Sequence, residues 1–286
     1  MAILDITARE LLSLGLILVG FDEEKVNRTC DATNLVRFMD RFGVHPEAMV
    51  AILQDIEVDN MSVTHFLMAI NWLKTHNTCS GMASVWGCDE KTVRKWVWKV
   101  VSGIRDLKQR KIRWPQNTPT RFVMSVDGVH FRCPEQRQRP EVGWKSEKSN
   151  GPGLGYELGV MIFSSDVAWM NGTFAAGSHD LSNMREEDGL LQTIEATFRD
   201  DQMIITDRGY RGERWCSIRN ELDSEEVKVF KRRARARHET FNKRIKNFGV
   251  MSERFRFGIH KHKMVFESIV VILQYEMENG HPLFEV

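Results

Sequence analysis

The chain has 286 residues, of which 42% are hydrophobic and 28% charged. That is the composition of a globular protein with a sizeable core; it excludes intrinsic disorder, collagen and a disulfide scaffold, and the length suggests roughly two domains. The formal net charge is only +1, but the charges are sorted. Residues 1–60 carry 11 acidic and 5 basic groups, residues 61–120 carry 3 and 10, residues 166–226 carry 14 and 6, and residues 227–263 carry 2 and 13. Two cationic segments alternating with acidic ones imply two surfaces for a polyanion, DNA or RNA, set against the plainer reading of solvated faces.

In chain order, the apolar run 11–20 is too short to span a bilayer. Asp5, Arg9 and Glu10 stand before it, where a secretory signal would be basic. The expectation is a protein neither secreted nor membrane-embedded. Its five cysteines (Cys30, Cys79, Cys88, Cys133 and Cys216) form no C-x-x-C pair and read as reduced, mostly buried intracellular thiols.

Residues 32–110 read as helical. Leu35, Phe38, Met39 and Phe42 recur at helical spacing, Pro46 opens a second helix with Met49, Ile52, Leu53 and Ile56, and a third runs over about 62–75. A short helix over 79–87 ends at Gly87, and Asp89 is placed to cap the next. That next helix keeps Val93, Trp96, Val97, Val100 and Ile104 on one side, and so exposes Lys91, Thr92, Arg94, Lys95 and Lys99. Two helices around a glycine turn, the second starting with basic and hydroxyl groups, match the plan of a DNA-reading helix-turn-helix, although plain bundle corners share it.

Basic, proline-containing residues 111–120 mark a linker between a helical domain 1–110 and a second domain 121–286. Beyond it the period changes. Strand patterns occupy 121–131, 155–163, 167–174 and 202–206, and a helical period returns over 234–248. Strands followed by helices imply a mixed sheet covered by helices, an α/β or α+β domain.

Asp127 and Asp207 each end an apolar β run and precede a glycine-containing turn, in SVDG and ITDRGYRG. Singly, each reads as a turn-former or cap. Glu239, the one acid between Glu226 and Glu253, sits in a strongly basic helix. Its plain role is an ion pair with Arg235 or Lys243, worth a few tenths of a kcal/mol. Together the three carboxylates suit hard divalent cations: Mg²⁺ takes oxygen ligands, and two ions roughly 3.5–4 Å apart can activate a water or hydroxyl for in-line phosphoryl displacement.

Taken together, SVDGVHF, GSHDLSNMRE, ITDRGYRG and R-x3-E-x6-K (Arg235, Glu239, Lys246) resemble the DDE transposase domain of the PIF/Harbinger superfamily over about 121–275. Residues 32–110 resemble the helix-turn-helix domain that precedes it there. The resemblance implies an RNase H-like fold whose catalytic, metal-binding triad is Asp127, Asp207 and Glu239, with Mg²⁺ or Mn²⁺ as a pair of ions. Arg235 and Lys246 fall on basic positions of its signature helix and are expected to contact DNA; Asp180 falls on a recurrent acidic position outside the triad. Val129 stands where Thr is usual after Asp-Gly, and Arg232 where related bacterial signatures carry Tyr. The implied partners are double-stranded DNA at transposon ends and target, a Myb-like DNA-binding protein and further copies of the chain in a synaptic complex, with a nuclear location.

Two rivals stand beside this expectation. One is a domesticated, non-catalytic DNA-binding protein that keeps the scaffold; the other is a plain RNase H-like nuclease with no need of residues 1–110. Among other features, Trp96 reads as core, one of Trp98, Trp144 and Trp215 is a candidate base-stacking ring, and His260-Lys261-His262 reads as a basic surface. The run 231–237 (KRRARAR) reads as a nuclear localisation signal or a substrate contact.

Overall fold

A computed structural model describes residues 6–116, 118–134, 142–146 and 151–286. Asp5 and Asn117 lie outside the described residues. The chain opens with eight helices: α1 (Ala8–Leu18), α2 (Glu23–Arg28), α3 (Asp31–Phe42), α4 (Pro46–Asp55), α5 (Val63–Thr75), α6 (Cys79–Trp86), α7 (Glu90–Asp106) and α8 (Lys108–Lys111). There follow β1 (Phe122–Arg132), β2 (Lys145–Ser146), β3 (Gly151–Met161), β4 (Val167–Ala175), α9 (Asp180–Met184), α10 (Leu190–Thr197), β5 (Met203–Ile205) and β6 (Cys216–Ser217). Three helices close it: α11 (Glu225–Lys246), α12 (Gly249–Ser252) and α13 (Ile259–Glu278). Among the described residues no helix is long and apolar enough to cross a membrane.

The described residues divide into two compact units. The first holds those up to Lys111 with Ile245–Glu253 and His260–His281; the second holds those of Ile112–Arg244, Arg254–Ile259 and Pro282–Val286. This differs from an uninterrupted domain over 121–286, and the cause is α13. That helix is buried from Val265 to Met277, and its Ser268 hydroxyl donates to the carbonyl of Val101 on α7 across 2.7 Å. Its unbroken apolar run Ile269–Leu273 turns apolar side chains to every side, so that stretch must be enclosed. His262, expected on a basic surface, is itself fully buried, and burial depresses its imidazole pKa to about 3.

In the first unit α5 is central, buried at every position from Phe66 to Leu73 and packed against α3 and α7. The polar punctuation in the sequence does local work. Thr7 and Glu10 close a capping box on α1, and Ser62 caps α5. Gly87 adopts φ +60°, a left-handed conformation that costs glycine little, and ends α6. Three residues later α7 begins, with the Asp89 carboxylate accepting from the Thr92 N–H at 3.0 Å.

The second unit is built on a mixed sheet. Its main strands lie in the order β4-β3-β1-β5-β6, with β2 pairing the start of β3. β1 runs antiparallel to β3 and parallel to β5, and β5 runs parallel to β6. Val123, Val126, Ile204 and Trp215 pack with Leu190 and Ile194 of α10 on one face; Ile162 and Ile205 pack with Ala234 of α11 on the other. The helix over 234–248 starts nine residues earlier than its apolar period suggests, at Glu225. Glu225 and Glu226 fall in its first turn, where the helix dipole favours negative charge.

Candidate active site

Strand alternation decides which face each residue of β1 serves. Val126 points into the core beneath α10, so Ser125 and Asp127 point the other way, toward α11. There Asn242 donates through Nδ2 to Asp127 Oδ2 at 3.1 Å. Asp207 lies two residues beyond β5 and caps the short 3₁₀ turn Arg208–Tyr210, its Oδ1 accepting from the Gly209 N–H at 2.8 Å. The turn-forming bond leaves further lone pairs on the Asp207 carboxylate, because each carboxylate oxygen has more than one. Glu239 is exposed on α11. Among the described residues it makes no ion pair within 4.0 Å, so the plain pairing with Arg235 or Lys243 is not what places it.

Asp127, Asp207 and Glu239 line one cavity of about 220 Å³, together with Ser125, Val126, Ile205, Arg235 and His238. None of the three carboxylates is buried. Among the described residues no three His, Cys, Asp or Glu side chains are gathered closely enough to hold a metal ion as they stand. The donor chemistry nonetheless fits a hard cation. Mg²⁺ is commonly held by one or two carboxylates, with phosphate and water completing its octahedron, and needs no cage made wholly of protein.

Behind Asp127, on the opposite face of the sheet, stands a second polar group. Gly128 pairs with Glu157 in the β1–β3 register. A Cβ on Gly128 would stand 2.7 Å from Asp180 Oδ1, and one on Gly209 would stand 2.4 Å from Asp180 Oδ2 and 3.0 Å from Asp207 Oδ1. The Asp180 carboxylate therefore occupies space that only glycine leaves open after each of the two aspartates. Beside it Glu157 is buried, accepting from Trp169 Nε1 at 3.0 Å and from the Tyr210 hydroxyl at 3.1 Å. Burial raises the Glu157 carboxyl to about 7, and the same burial, with Glu157 and Asp180 near, lifts the Tyr210 phenol well above its ordinary value.

Sequence reasoning missed Glu157, Asn242 and His238. Asn242 and His238 could have been found as neighbours of Glu239 on one helix face; Glu157 could not, because its cross-strand partner is set by register. His238 is held at Nδ1 by Ser125 on β1, 3.0 Å from Oγ, and burial depresses its pKa to about 4.

The basic residues separate into several groups. Arg235 lines the carboxylate cavity and an adjoining one of about 310 Å³, which also takes in Arg219, Lys228 and Arg232. Lys246, exposed at the end of α11, does not line the cavity. The run 231–237 is not a uniformly exposed basic stretch. Lys231 is buried against Asp223 at 2.7 Å, and Arg237 is buried with its guanidinium on the carbonyls of Met161, Ser164 and Phe284.

On α7, Lys91, Arg94, Lys95 and Lys99 are exposed, and Thr92 is half-buried through its bonds to Asp89. Lys95 and Lys99 lie 5.2 and 5.3 Å over the ring of Trp96, which is core as expected. Trp215 is buried, which removes it as a base-stacking ring. Of the cysteines only Cys133 and Cys216 are buried; all five are free.

The model of one protein family, described as DDE superfamily endonuclease, matches residues 126–277, just over half of the chain. No curated protein and no solved structure matches. The matched region opens one residue before Asp127 and contains Asp207 and Glu239. Nucleases of this kind act on DNA and generally use divalent metal ions. With its mixed sheet flanked by helices and its three acids on one cavity, the chain belongs to the DDE superfamily endonucleases.

Proposed function

We propose that this protein is a DDE transposase, or a transposase-derived nuclease, of the PIF/Harbinger type that cuts and joins DNA strands at transposon ends. One observation carries the reading: Asp127, Asp207 and Glu239, 80 and 32 residues apart in sequence, line a single cavity. The order β4-β3-β1-β5-β6, with one antiparallel and one parallel neighbour on β1, supports an RNase H-like scaffold.

In this reading Asp127, Asp207 and Glu239 are the residues that would hold Mg²⁺ or Mn²⁺ as a pair of ions. When bound, the ions supply charge for the phosphodiester and a deprotonated water or hydroxyl. The chain's own groups do the rest. Asn242 orients the Asp127 carboxylate, the Gly209 N–H orients that of Asp207, and Arg235 offers a guanidinium to the phosphate backbone at the cavity mouth. Lys246, further along α11, would track the same backbone.

Lys91, Thr92, Arg94, Lys95 and Lys99 would read the terminal DNA from α7, in the helix-turn-helix manner. A Myb-like partner, self-association in a synaptic complex and a nuclear location extend the same proposal; the resemblance of the chain's motifs to the PIF/Harbinger superfamily is their support.

The test is strand cleavage with Mg²⁺ or Mn²⁺ on DNA bearing candidate terminal repeats, for the wild type and Asp207→Asn. The substitution should abolish cutting and leave DNA binding equal or stronger, since it removes a ligand and a negative charge near phosphates. A domesticated DNA-binding protein draws on one observation, that among the described residues no three ligating side chains are already gathered. Binding without cutting by the wild type would select it.

A further inference from the structure

The helix face that α11 turns toward β1 carries more than Glu239. Six buried side-chain nitrogen or oxygen atoms among the described residues have no hydrogen-bond partner there, and two of them stand on the face of α11 beside this site: His238 Nε2 and Asn242 Oδ1. Buried polar atoms are ordinarily paired, so such a concentration calls for a reason. The two residues themselves are enclosed, with relative exposures of 2% and 5%.

The surrounding bonds assign the chemistry of the two helix residues. The Ser125 hydroxyl donates to the Val160 carbonyl at 3.3 Å, which uses its single hydrogen. Its oxygen, 3.0 Å from His238 Nδ1, is then an acceptor, and the Ser125 backbone carbonyl, 3.2 Å from the same nitrogen, can only accept. Both place the imidazole hydrogen on Nδ1. In the neutral ring Nε2 is therefore a bare acceptor. Asn242 spends its amide on Asp127, leaving Oδ1, also an acceptor. The two residues are four apart on one helix, hence neighbours on its surface. His238 lines the same cavity as the three carboxylates.

We propose that His238 Nε2, with Asn242 Oδ1 beside it on the helix, is an acceptor site that positions a hydroxyl donor beside Asp127: a water that would serve as the nucleophile. The inference rests on the nuclease reading for the identity of that donor, but the acceptor site itself does not. It assigns hydrogen bonding alone and moves no proton. Serine holds the ring so that its free nitrogen stays where the nucleophile must stand; His238 is a positioning residue.

Two substitutions and one spectrum test it. His238→Asn keeps an amide N–H near the Nδ1 place, so that the bond to Ser125 survives, and deletes Nε2. His238→Gln restores a polar atom near the Nε2 place. The His238→Asn variant should melt within a few degrees of the wild type and bind Mn²⁺ and DNA unchanged. Its kcat for cleavage should fall about 10- to 100-fold with KM held, and His238→Gln should recover part of that loss. Cutting by His238→Asn at the wild-type rate would overturn the proposal, as would parallel losses of Mn²⁺ binding and folding in both variants.

The spectrum is read on the metal-free wild-type chain, labelled with ¹⁵N in histidine and assigned by difference against His238→Asn. It should show Nδ1 protonated and Nε2 unprotonated but hydrogen-bonded. A protonated Nε2, or one free of any donor, overturns the acceptor site without reference to cleavage. Should the spectrum be as expected while the wild type never cuts DNA, the acceptor site stands and the nuclease reading falls.

Discussion

The Tyr210 hydroxyl donates to Glu157 Oε1 across 3.1 Å, joining the turn that carries Asp207 to the middle of β3. Trp169 on β4 holds the other oxygen of the same carboxylate. Through Glu157, two consecutive strands fix a turn 53 residues further along the chain.

Burial raises the Glu157 carboxyl to about 7 from an ordinary 4.5. The folded chain therefore retains a proton that the unfolded chain releases above pH 4.5, so this residue's contribution to stability declines as pH rises from about 4.5 to 7 and is level above that. The full span corresponds to about 3 kcal/mol. Glu157→Gln should remove that slope from metal-free urea melts taken across this range. An unchanged slope would mean that the carboxyl titrates as an ordinary one.

Gly209→Ala places a methyl group 2.4 Å from Asp180 Oδ2. Overpacking of this kind costs about 1–3 kcal/mol, and the melting temperature should drop accordingly. Asp180→Ala in the same chain removes the nearest of its clashes and leaves the 3.0 Å approach to Asp207 Oδ1, so the two changes should be non-additive in a double-mutant cycle. Simple additivity would show that the turn yields elsewhere.

Arg235 and Arg237 are two residues apart and should behave oppositely. Arg235→Ala removes an exposed guanidinium at the cavity; it should weaken DNA binding and lower the magnitude of the salt slope by about 1, with the fold intact. Arg237→Ala leaves carbonyls of Met161, Ser164 and Phe284 without their donor. It should cost several kcal/mol in thermal or urea unfolding and change the salt slope little. Equal effects on DNA binding would refute the division.

On α7, the joint change Lys91→Ala and Arg94→Ala removes two exposed cations from the first turns. Binding to terminal DNA should weaken and lose sequence preference, while cleavage of non-specific DNA by the second unit should persist. Retained sequence preference, measured by competition at fixed salt, would return α6 and α7 to the role of a bundle corner.

Much of this was legible in the order of residues. Capping at Asp89, the left-handed stop at Gly87, and the strand ending at the Asp207 turn are local events, driven by hydrogen bonds within a few residues and by apolar period. The three acids were likewise marked by local context, each an acid at the end of an apolar run or in a basic helix. What neighbouring residues could not determine depends on register and enclosure. Glu157 faces Tyr210 because β3 pairs with β1 at Gly128 and not one residue away. Arg237 is buried while Arg235 is not because two residues along a helix is a rotation of ~200°. The membership of α13 in the first unit follows from which apolar surfaces find one another, and that is a property of the whole chain.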